Sequence, residues 1–127
     1  MIKPLDILQI WIDGINTADI EKLINLYDEN AVLIPTFSNR LLNTPEKIKD
    51  YFEKVGQKDE LSISLHEKTL NIQEIGDELY SLSGLYKWCF SIDEEPLTFE
   101  ARFSYTFDLK KSSPIISHHS SQIPRSL

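Results

Sequence analysis

Three features of the 127-residue chain predict an α+β fold, with three N-terminal helices set against a curved antiparallel sheet. Apolar residues recur at helical spacing as far as Gly56. The period then changes to two, and turn residues divide the rest into four strand-length runs. Helices and strands are segregated rather than alternating, which gives the order ααβαββββ.

Pro4 suits a first helical turn, and Leu5, Leu8, Ile12 and Ile15 follow at 3-4-3 spacing, with Ile7 and Trp11 widening the stripe, so the first helix spans about Pro4 to Asn16. Thr17 is the predicted N-cap of a second helix that buries Ile20, Leu23, Ile24 and Tyr27 and ends near Asn30. A short buried strand, Ala31 to Ile34, runs into Pro35, and Thr36 to Asn43 has no period and reads as a loop. Thr44-Pro45-Glu46 joins a capping threonine, a first-turn proline and an acid near the positive helix end. The third helix starts there, buries Ile48, Tyr51, Phe52 and Val55, and stops at Gly56.

In the second half, Leu61, Ile63 and Leu65 alternate with Ser62, Ser64 and His66. Gly76-Asp77 marks a turn, and Leu79 to Phe90 is an aromatic-rich strand. After a turn at Asp93 to Pro96, Ala101, Phe103, Tyr105 and Phe107 share one face of the next strand, and Arg102, Ser104 and Thr106 share the other. Lys110 to Pro114 turns into a last strand, Ile115 to Gln122. A twisted sheet curling round a helix leaves a concavity suited to a small molecule.

The length fits one domain, residues 1–127. A formal net charge of −7 disfavours phosphate backbones, so no nucleic-acid partner is expected. Cys89 is the lone cysteine and can form no internal disulfide, consistent with a reducing compartment, and cytoplasm is the expected location. No apolar run approaches the roughly 20 residues of a membrane span, and Asp6, Gln9 and Asp13 interrupt the start unlike a signal-peptide core, so no membrane association is expected.

Five blocks in order carry a family resemblance: Leu33 to Asn39, Thr44-Pro45, Asp50-Tyr51-Phe52, Ala101-Arg102-Phe103, and His118-His119-Ser120-Ser121-Gln122-Ile123-Pro124. From about Ile7 to Pro124 the chain resembles a bacterial and algal family related to the association domain of calcium/calmodulin-dependent kinase II. The resemblance implies the nuclear transport factor 2-like (cystatin-like, SnoaL-like) cone. Several members of that family are iota-class carbonic anhydrases, and the HHSS-x-x-P ending looks like their signature. Members commonly have three histidines before the serines where this chain has Ser117-His118-His119, and a residue such as Met at the place of Ile123. Any role of the first histidine is therefore missing here.

On a strand, His118 and Ser120 point one way and His119 and Ser121 the other, so the two histidines cannot grip one ion. With only His66 elsewhere, a three-histidine zinc site is not expected, and no cofactor is assigned. A metal-free site needs another source of positive potential, because zinc lowers the pKa of bound water from about 15.7 to about 7, worth roughly 12 kcal/mol. Arg102, on the polar face of its strand, is the candidate. The expected arrangement has Thr36, Tyr51 and Ser120 holding carbon dioxide and water in line, and His118 or Tyr51 relaying the proton. Arg102, with Ser104 and Tyr86, would bind the developing bicarbonate.

Two other functions compete. One is a non-catalytic binding or assembly module, a homodimer or larger homo-oligomer that buries the aromatic face of the third long strand while the pocket occupies the opposite face. The other is an enzyme for a small organic acid or polyketide-like substrate, which would require a larger, mostly apolar pocket.

Overall fold

The computed structural model describes residues 2–124 of the chain. Its elements are α1 (Pro4–Asn16), α2 (Ile20–Ile24), β1 (Tyr27–Ile34), α3 (Pro45–Gly56), β2 (Asp59–Gly76), β3 (Leu79–Ile92), β4 (Glu95–Asp108) and β5 (Ile115–Gln122), the predicted α+β order. No helix among the described residues is long and apolar enough to cross a membrane.

In α1 the buried stripe is Ile7, Leu8, Trp11, Ile12 and Ile15, and Leu5, expected in it, is exposed. The Asp6 carboxylate accepts from the Lys3 amide at 2.8 Å and caps the first turn. Thr17 closes this helix instead of opening the next, donating its hydroxyl to the Asp13 carbonyl at 2.8 Å. Asp19 is the N-cap of α2, accepting from the Lys22 amide at 3.1 Å. The second helix is correspondingly short, and Tyr27 begins β1 rather than ending a helix. For α3 the predicted cap holds: Thr44 Oγ1 accepts from the Lys47 amide at 3.3 Å, and Ile48, Phe52 and Val55 are buried.

The sheet order is β1-β5-β4-β3-β2. From β2 to β5 it is an antiparallel meander, but β1 lies parallel to β5, with Leu33 opposite His118, so the sheet is not wholly antiparallel as expected. A parallel pair needs a long crossover, which α3 and the whole meander supply. Asp93 and Glu94 have φ of 52° and 67° between β3 and β4, the left-handed pair that matches the twist of a two-residue hairpin. β2 bulges between His66 and Asn71. Within the bulge the Thr69 hydroxyl donates to the His66 carbonyl at 2.7 Å and accepts from the Leu85 amide at 2.8 Å. Bulges bend the strand and add twist, which curves this long sheet around the helices.

One expectation about the faces is reversed. Ala101, Phe103, Tyr105 and Phe107 of β4 are buried, Tyr105 meeting Trp11 of α1 edge-on at 6.0 Å, while Arg102 and Ser104 are exposed on the convex face. The aromatic side therefore builds the core and offers no apolar surface for sheet-to-sheet association. The physical reason is that β4 is a central strand whose concave side must cover Trp11 and its neighbours, and burying several aromatic rings outweighs any gain from burying one guanidinium.

Candidate functional site

The site is a line of polar side chains threaded through the aromatic core. β5 carries His118 and Ser120 on its inner face, each 2% exposed. Opposite strand residues share a face, so His118 lies beside Tyr105, and their rings stack at 3.9 Å between centroids. From α1, Trp11 stacks on Tyr86 at 5.5 Å and meets the His118 ring edge-on at 5.3 Å.

From Trp11 to Ser120 the hydrogen bonds run in one direction, fixed by the indole at one end and by the Tyr86 donor at the other. Trp11 Nε1 can only donate, and it does so to the Tyr27 hydroxyl at 3.0 Å. Because Tyr86 gives its proton to Ser120, its oxygen accepts from His118 Nε2, and the neutral ring accepts at Nδ1 from the Tyr27 hydroxyl, 2.7 Å away. With Nδ1 accepting, the neutral ring carries its proton on Nε2, which faces the Tyr86 hydroxyl at 3.2 Å. Tyr86 donates to Ser120 Oγ at 2.6 Å, and Ser120 shares a further short hydrogen bond with the Thr36 hydroxyl. The Tyr51 hydroxyl stands apart from this line and accepts from the Phe37 amide at 3.3 Å.

Burial sets the protonation states. It lowers the pKa of His118 to about 3, with a smaller contribution from neighbouring His119, so the imidazole is neutral at physiological pH. Burial likewise pushes the hydroxyls of Tyr27, Tyr51, Tyr86 and Tyr105 above the ordinary phenol range, the bond from the Phe37 amide offsetting a little of it at Tyr51. The line is thus a neutral wire of donors and acceptors. It can pass a proton by concerted exchange, but it contains no ready base.

Thr36, Tyr51, Tyr86, His118 and Ser120 line one cavity of about 10 Å³, room for about one water-sized molecule. Trp88 also lines it, and its indole N–H is buried without a hydrogen-bond partner among the described residues, as is the Tyr105 hydroxyl. The cavity is too small for an organic acid or polyketide-like substrate. Thr36 and Ser120 also border an outer cleft of about 490 Å³, and Tyr51 borders a groove of about 600 Å³ along α3.

Of the residues singled out from sequence, Thr36, Tyr51, Tyr86, His118 and Ser120 come together. Arg102 and Ser104 do not. They pair with Ser121 and His119 on the convex face, so no guanidinium reaches the cavity. Trp11, Tyr27, Trp88 and Tyr105 were read as packing residues or not singled out at all. The available signal was chemical: a buried indole or phenol needs a partner, and the apolar stripes of α1 and β4 each hold one. His118 and His119 point to opposite faces, and among the described residues no three His, Cys, Asp or Glu side chains cluster as metal ligands.

Comparison with known proteins follows the same outline. The family model described as "Calcium/calmodulin dependent protein kinase II association domain" matches residues 4–124. A solved structure from Xanthomonas campestris described as such an association domain superposes with a TM-score of 0.85 at 23% identity, covering 96% of this chain and 86% of that one. The association domain of the C. elegans kinase gives 0.74 at 18% identity, covering 92% and 91%. An epoxide hydrolase/cyclase-like enzyme of pyran ring formation in the polyether salinomycin gives 0.78 at 14% identity, covering 94% and 89%. No curated protein sequence matches the chain significantly.

Proposed function

The chain belongs to the calcium/calmodulin dependent protein kinase II association domain family, and from that premise we propose that it hydrates carbon dioxide, and dehydrates bicarbonate, at the Thr36–Ser120 hydroxyl pair without a metal. The observation that carries this reading is the hydrogen-bond line that runs one way from Trp11 to Ser120, continues in the reversible Ser120–Thr36 pair, and borders a cavity of single-molecule size. The HHSS-x-x-P ending supplies His118 and Ser120 and supports the iota-class comparison.

With Arg102 on the outside and His118 neutral, a mechanism that makes a buried ion is unfavourable. A neutral relay avoids it. Water in the cavity attacks carbon dioxide presented from the outer cleft. As the new C–O bond forms, a water proton passes to one hydroxyl of the pair, the proton shared between the two moves on, and the second hydroxyl delivers its proton to a carbon dioxide oxygen. The product is carbonic acid, which ionises in bulk water. Either hydroxyl of the pair can donate, as the relay requires. His118 holds Tyr86 as a donor to Ser120 rather than accepting the proton itself, and Tyr51 closes the far wall. With no charged group lining the inner cavity, such a site is a modest catalyst. Labelled-oxygen exchange between carbon dioxide and water, on purified protein with and without chelator, tests the proposal. Exchange above the buffer rate that survives chelation is expected, and exchange at the buffer rate ends the enzyme reading.

A second reading, self-association, rests on the family match itself. The convex sheet face that would carry it is polar, with Arg102, Ser104 and His119 exposed. Light scattering across a concentration series tests it, and a monomer at high concentration removes it.

A further inference from the structure

The central cavity excludes organic ligands, but the groove between α3 and the segment from Phe37 to Leu42 encloses about 600 Å³, within the roughly 300–1,000 Å³ range of small-molecule sites. Arg40, Lys47, Lys54 and Lys58 line it, against one carboxylate, Asp50. In a chain of formal net charge −7 this is a local reversal of sign. Asp50 engages only Lys54, at 2.9 Å. Lys47 Nζ reaches the Asn43 side-chain oxygen at 3.4 Å, and Lys58 sits over the Phe90 ring at 4.8 Å, contacts that orient the ammonium groups without cancelling their charge. Arg40 forms no ion pair among the described residues.

A run of cations along an amphipathic helix is ordinarily just a solvated face. Here it rims a concavity with an apolar floor, where Leu42 and Val55 are buried and the rings of Phe37 and Tyr51 are half-buried. Cations beside a low-dielectric wall focus their field into the groove, and a guanidinium recognises carboxylate or phosphate by paired hydrogen bonds. From these features we infer that the groove binds a small organic anion, its flat apolar body on Phe37 and Tyr51 and its acidic group held by Arg40 and Lys47. The groove adjoins the carbon dioxide site, sharing Tyr51 with the inner cavity and Arg40 with the outer cleft, but Lys47 and Lys58 border the groove alone.

The test is an amide NMR titration of the full chain with phenylacetate, beside its neutral isostere phenylacetamide. Saturable shifts confined to Phe37–Leu42 and α3 are expected with phenylacetate. Binding should weaken at least about tenfold for phenylacetamide, and similarly in the Arg40→Gln, Lys47→Gln double variant, because charge-assisted contacts are lost. Both substitutions are at exposed positions, so an unchanged spectrum elsewhere verifies the fold. Equal affinity for the two probes, shifts that never saturate, or shifts scattered over the surface would overturn the inference. Oxygen exchange measured on the Lys47→Gln single variant separates the two sites, since Lys47 borders the groove and not the outer cleft and exchange should stay at the parent rate.

Discussion

The two faces of the β4–β5 pair belong to the same strands and meet opposite surroundings. The inner face carries Ala101, Phe103, Tyr105 and Phe107 with His118 and Ser120, all buried, while the outer face carries Arg102 and Ser104 with His119 and Ser121. The two titratable groups of the inner face, the Tyr105 phenol and the His118 imidazole, are held neutral by burial. What the difference teaches is that polar chemistry in this protein is placed by aromatic packing and not by a polar wall. The hydroxyls and the imidazole that meet at the cavity are those whose rings and strands are locked in the core.

The comparison breaks most readily at Trp11. Trp11→Ala removes the stack on Tyr86 and the donor to Tyr27, and urea denaturation should show a loss of about 3–5 kcal/mol, as for other buried aromatic truncations. Arg102→Ala on the outer face should stay within about 0.5 kcal/mol by the same measurement. Comparable losses at the two positions would mean that the convex face is structurally engaged. On activity, Ser120→Ala should lower labelled-oxygen exchange by about 10²-fold, the lower end of what positioned proton transfer contributes. The outward-facing Ser104→Ala should leave exchange unchanged.

The pH dependence sharpens the contrast between the two neighbouring histidines. The folded pKa of His118 is depressed to about 3, below the value of about 6.5 for an unperturbed histidine. Between these values the unfolded chain binds the extra proton and the native one does not. The contribution of His118 is therefore fully present above about pH 6.5, and stability falls as the pH drops from there toward 3, with a slope of roughly 1.4 kcal/mol per unit at its steepest. His118→Gln should flatten this slope in denaturation curves collected from pH 7 to pH 4, whereas His119→Gln should preserve it. Away from both faces, Thr44→Ala removes the α3 cap and should cost about 1 kcal/mol in the same denaturation assay.

Much of the local structure was legible in the residues. Thr44-Pro45 marked the start of α3, Asp93 and Glu94 fell in a turn, and the spacing of His118 and Ser120 put them on one face. Around α2 local signals were misleading, because Thr17 and Asp19 are both competent caps. The choice between them depends on where α1 stops, and there the Thr17 hydroxyl satisfies a carbonyl of the last turn. Tyr27 was misread for a related reason: it follows Leu23 at helical spacing, yet its ring is drawn into β1, where its hydroxyl lies between an indole and an imidazole.

By itself, then, the sequence determined the element order, most of the turns and caps, and which residues of one strand look the same way, because these depend on neighbours along the chain and on periods of 3.6 and 2. Only the tertiary structure decided which way each strand looks. Alternation in β4 and alternation in β5 are each local, but whether His118 stands beside Tyr105 or Arg102 depends on the register between them, and a shift of one residue turns a whole strand over. That register is set by burying aromatic rings under α1, a contact between residues far apart in the chain. The same contact brings Trp11, Tyr27 and Tyr86 to His118 and leaves the guanidinium of Arg102 in water.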